Sequence, residues 1–191
     1  MSLPCVTMLS MLGAKVGSLI GAVGGLVFLL SNGGALPGPW SLVLRVLGGV
    51  AFLVVVALVL RARRIGKGVE PSRQQLRAYG LTVLAEVAAI VLGSRVLVGI
   101  FDLPTATLPW VATVLGVHFL VFARVFGEPV FVWLGAAVTA CGIAGLVMAL
   151  AGSGQPGIDV VAGIMPGAIL LVAVGQSAWV GRPRPAEAEV V

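Results

Sequence analysis

Four ionisable residues, Arg45, Glu86, Arg95 and His118, lie inside long apolar runs of this 191-residue chain. An acid beside an imidazole can carry or sense a proton, and guanidinium groups can hold an anion. At the centre of a spanning helix such a group costs roughly 2.5–3.5 kcal/mol on insertion scales, so each needs a partner or a role. Glu86 and Arg95 share one run nine residues apart. At about 100° per residue they fall on opposite faces, ~13 Å apart along the axis, and do not neutralise each other. Their partners must come from other helices, which makes this third run the expected centre of the bundle.

Glu86 stands about five residues from one end of its run, and His118 about six from the corresponding end of the next. Their depths therefore match at a rise of about 1.5 Å per residue. Glu86 and His118 form the candidate intramembrane proton-linked pair, and a static contact fixing helix register is the plainer reading of the same spacing. Arg95 and Asp102 are seven residues apart on one face. With Arg45 they form a candidate outer-side polar cluster. Its arginines either snorkel to head groups, Asp102 or Asp159, or line an anion vestibule.

No nucleophile constellation accompanies these groups. Ser94, Thr113, Thr139 and Ser177 are scattered without a base at a recognisable spacing. No phosphate-binding glycine loop or paired acidic motif is present, so an enzyme is the least supported class and no cofactor is expected. His118 is the only histidine, and Cys5 and Cys141 form no CxxC pair, so no metal site is expected.

The elements that must position these residues are membrane spans. The composition is 59% hydrophobic and 10% charged, against roughly 25% charged in soluble domains. The apolar residues gather into six runs at about 12–30, 41–60, 81–100, 109–124, 130–151 and 160–180. The reading is an all-α polytopic transmembrane bundle of six spans in three consecutive hairpins, a single domain over 1–181. A basic loop covers 61–80, and a short disordered tail covers 182–191. Pro166, between Gly163 and Gly167, predicts a kink in the last span.

Orientation follows from the connections. Segments 31–41, 101–109 and 152–159 hold no Lys or Arg, whereas the alternate ones hold Arg61, Arg63, Arg64, Lys67, Arg73, Arg77, Arg124, Arg182 and Arg184. Basic loops stay cytoplasmic, so both termini are expected inside a bacterial inner or plasma membrane. Trp40 and Trp110 then fall at the outer boundary, and Trp133 and Trp179 at the inner one. A cleaved signal peptide is the competing reading of the first run, although Lys15 is poorly placed for it. The net charge is +5, and the basic residues crowd into one loop and the chain ends, which points to anionic lipid rather than nucleic acid.

Small residues should set the packing, because lipid gives little hydrophobic drive between helices. Gly13, Gly17, Gly21 and Gly25 recur every fourth residue on one face of the first span, a helix-packing stripe within the bundle or between copies in a homo-oligomer. Ala85, Ala89 and Gly93 form a similar stripe, as do Ala136, Ala140 and Ala144.

The stretch from Pro109-Trp110-Val111 through Gly116-Val117-His118-Phe119-Leu120 to Ala123-Arg124 resembles segments of uncharacterised bacterial six-span membrane proteins. The three-hairpin layout is similar to the HdeD-type acid-resistance membrane protein family. Neither resemblance transfers a site residue. Two functions are carried forward: a small proton-linked transporter or channel-like protein, and a non-transporting scaffold or stress-associated protein acting through helix packing and its basic loop.

Overall fold

The computed structural model describes residues 3–62 and 72–180, with side chains from residue 13 onward. Six helices are long and apolar enough to cross a bilayer: α1 Leu3–Asn32, α2 Pro39–Arg61, α3 Arg73–Gly99, α4 Thr107–Phe126, α5 Val130–Leu150 and α6 Gln155–Val180. No strand occurs among the described residues. Arg63, Arg64, Lys67, Arg182, Arg184 and the expected disordered tail lie outside them, as does the side chain of Cys5.

Local chemistry explains where the helices start and stop. Gly38 takes a positive φ of 54°, which turns the chain into Pro39 at the first helical position of α2. Ser72 begins α3 with a reciprocal capping box, its side chain accepting from the Gln75 N–H while Gln75 accepts from the Ser72 N–H. Gly127 closes α4 in the left-handed conformation and donates to the Ala123 carbonyl.

The outward surface identifies the solvent. Leu53 and Leu84 are 66% exposed and Leu92 is 65% exposed. Burying each leucine from water would be worth about 1.5–3 kcal/mol. A bilayer removes that drive, so such residues are stable facing out.

Consecutive helices pack as the hairpins α1/α2, α3/α4 and α5/α6, and α4/α5, α1/α6 and α2/α6 contacts join them. The central helix is α6. Its Leu171 and Ala178 meet Ala22, Leu29, Val55 and Val59 on one side, and its Leu170 and Ala173 meet Leu134 and Val138 on the other.

The expectation that the third span is central is overturned. Helix α3 lies at the edge, has no buried residue, and packs mainly on α4 and the turn before it. Its polar groups did not require a central place, because one neighbouring helix supplies partners for the inward-facing ones.

The small-residue faces also divide. Gly21 and Gly25 contact α6, at Val174 and Gly167, whereas Gly13 and Gly17 meet nothing within 4 Å. Ala136, Ala140 and Ala144 are exposed; α5 instead turns Gly135, Gly142 and Gly145 inward, against Gly116, Thr113 and Pro109 of α4. In α6 the proline is accommodated by a π-helical turn over Val160–Ile164, where the Met165 N–H reaches back five residues to the Val160 carbonyl. That wider turn precedes Pro166, which has no N–H to give.

Candidate functional site

Helix α3 carries Gln75, Tyr79, Thr82, Glu86, Ala89 and Gly93, spaced alternately four and three residues apart. This repeat keeps one seam facing one partner helix. Five of its members make specific contacts with α4. Gln75 Nε2 donates to the Val125 carbonyl at 2.8 Å. The Tyr79 ring stacks on Phe122 with centroids 5.2 Å apart. Near the opposite end, Trp110 Nε1–H donates to the Ala89 carbonyl at 2.9 Å, and its indole lies against Gly93, where any Cβ would collide with the ring.

Between these ties Glu86 Oε2 approaches His118 Nδ1 to 2.9 Å. Their side chains are 15% and 9% exposed. It is an acid–imidazole contact inside the spans, and it joins the two groups whose depths match in the sequence. The oxygen lies off the direction in which Nδ1 would donate, so the contact is close but not an aligned hydrogen bond. Aromatic rings wall the imidazole: Phe122 at 3.9 Å and Phe119 at 5.5 Å between centroids. Phe131 of α5 extends this wall, 6.0 Å from both phenylalanines. These rings cover much of the pair, so any charge carried there acts in a low-dielectric setting.

Chemically, the pair can exist as carboxylate with imidazolium, or with one proton more or fewer. Each change alters the attraction that draws α3 towards α4. Tyr79 is the other titratable side chain on this seam.

The outer-side residues are not brought together. Arg45 is exposed on α2 and lies along the turn at Gly33 and Gly34, with its Cγ and Nε 3.3 Å from where a Gly33 Cβ would be. Arg95 is exposed on α3, which does not pack on α2. Among the described residues no ion pair joins Arg95 to Asp102 or Arg45 to Asp159. Asp159 instead accepts from Gln155 Nε2 at 2.6 Å, and Asp102 takes a positive φ of 50° in the turn after α3. Among the described residues no three of His, Cys, Asp and Glu gather in a metal-sized group.

Sequence reasoning missed Gln75, Tyr79 and the inward role of Trp110, and it placed Gly93 in a small-residue stripe without showing the indole that lies on it. The alternating spacing along α3 was the available signal. Trp110 looked like an interfacial anchor, but its N–H is spent on a protein carbonyl. No family model matches the chain, and no curated protein or solved structure matches it either.

Proposed function

We propose that this multi-pass membrane protein is a small proton-linked transporter or channel-like protein in which Glu86 and His118 exchange the coupling proton and α3 is the element that responds. The observation that carries the reading is the 2.9 Å contact between an acid and an imidazole at the joint of the least buried helix. The remaining helices interlock through glycines, whereas α3 is held by a few directional ties. A rigid body with one lightly attached element is the division of labour that alternating access uses. The bacterial plasma membrane, with both termini and the basic loop inside, is the orientation that the placement of Arg and Lys favours.

In this reading, transfer of the coupling proton to Glu86 removes the negative charge facing the ring. An imidazolium left at that depth without its counter-charge favours separation of the two helices. The test is proton flux into proteoliposomes holding the purified chain and a trapped pH dye. Wild type should dissipate an imposed gradient and Glu86→Gln should not. Flux equal to protein-free vesicles in wild type, or unchanged in Glu86→Gln, overturns the reading.

One observation favours a second reading, a non-transporting scaffold. Two cavities lie elsewhere: about 430 Å³ beside Ser72, Gln75 and Val125, and about 450 Å³ between α2 and α6. Neither is lined by Glu86 or His118. Under this reading the pair fixes α3 in register, and the layout likeness to acid-resistance proteins suggests a stress-linked role. Glu86→Gln would then alter stability alone.

A further inference from the structure

We infer that the groove between α2 and α6 is a binding site for an anionic phospholipid, one acyl chain lying in the groove and the phosphate pairing with Arg61. This does not rest on the Glu86–His118 pair. The groove is open along the outer surface, about 450 Å³ in volume, and the surface it presents is apolar although Gln176 also borders it. Val55 and Leu171 form its floor, 6% and 4% exposed, and Val54 and Val172 form its rims, each 53% exposed. Gly175 keeps it open, since even a Cβ there would come within 3.4 Å of Val55. A slot of this shape suits a flexible hydrocarbon chain better than a second helix, which needs a flat stripe of small residues.

Charge selects the head group. Ala51, Val54, Leu58 and Arg61 follow one another at intervals of three, four and three residues, so Arg61 continues the α2 wall at the end of the groove. Trp179 lines the same end from α6, and its amphipathic ring suits the level of the head groups. The Lys15 ammonium donates to the Leu60 carbonyl at 3.2 Å, which brings a second cation to this helix end. A planar guanidinium matches phosphate geometry, and one basic residue near the surface favours an anionic over a zwitterionic lipid by about fivefold.

Native mass spectrometry of the full chain, stripped of lipid in detergent, tests this with phosphatidylglycerol and phosphatidylcholine of identical chains. Wild type should retain phosphatidylglycerol about fivefold better. Arg61→Gln should cut that preference severalfold, leaving what Lys15 supplies, and Arg61→Lys should keep most of it. Gly175→Leu should reduce retention of both, and Ala51→Phe, an exposed position on the opposite wall, should do the same if Gly175→Leu fails to fold. Parity in wild type, an undiminished preference in Arg61→Gln, or full retention in the folded groove-filling variants overturns the proposal. Competition by free glycerol phosphate would also overturn it, since the site would then read phosphate without a chain.

Discussion

A Cβ on Gly25 would lie 2.9 Å from the Gly167 carbonyl oxygen, and one on Gly167 would lie 2.8 Å from that of Gly25. The two helices thus cross backbone to backbone. Either Gly→Ala change must push α1 and α6 apart, at a cost of about 1–3 kcal/mol. Gly13→Ala and Gly17→Ala meet open space and should stay within about 0.5 kcal/mol of wild type. Thermal unfolding in detergent separates the two classes; equal effects at all four positions would refute the crossing.

Attachment of α3 works differently, through directional contacts. A double-mutant cycle with Glu86→Gln and His118→Phe should show a coupling of about 1 kcal/mol, the scale of polar contacts inside membranes. Additive effects would mean that the pair contributes nothing as a pair.

Trp110→Phe removes the N–H that the Ala89 carbonyl accepts, an interaction worth about 0.5–1.5 kcal/mol. Gly93→Val should displace the indole altogether. Amide exchange in α3 around Ala89 should rise in both, more in the second. Unchanged protection would show that the indole does not hold α3.

Asp102 serves the turn rather than Arg95. Because its φ is 50°, Asp102→Gly should leave the unfolding temperature unchanged or raise it, and Asp102→Val should lower stability by about 1 kcal/mol. A loss in Asp102→Gly comparable to that in Arg95→Gln would restore the ion-pair explanation.

Six helices were legible because hydrocarbon thickness forces long apolar runs, and the Glu86–His118 contact was legible because depth can be counted along a helix. Which face packs was not. In water Ala136, Ala140 and Ala144 would be expected inward for their apolarity, but lipid removes that distinction, and the contrast that decides is glycine against alanine: Gly135, Gly142 and Gly145 admit the α4 backbone. The edge position of α3 was hidden for a related reason. Glu86 marked a helix that needs a partner, and one histidine on one neighbour was enough. Half of the α1 glycine stripe, Gly13 and Gly17, resembled the other half in spacing, and only the position of α6 tells them apart.

In the proposed mechanism the charge state of Glu86 governs how closely α3 sits on α4. Spin labels at Val91→Cys and Val117→Cys, both outward-facing positions, in a chain with Cys5 and Cys141 replaced by serine and alanine, report that spacing by electron–electron dipolar coupling in liposomes. A second, longer distance population should grow as the pH is lowered in wild type and should be present at every pH in Glu86→Gln. A single narrow distance in both chains across the whole pH range would contradict it.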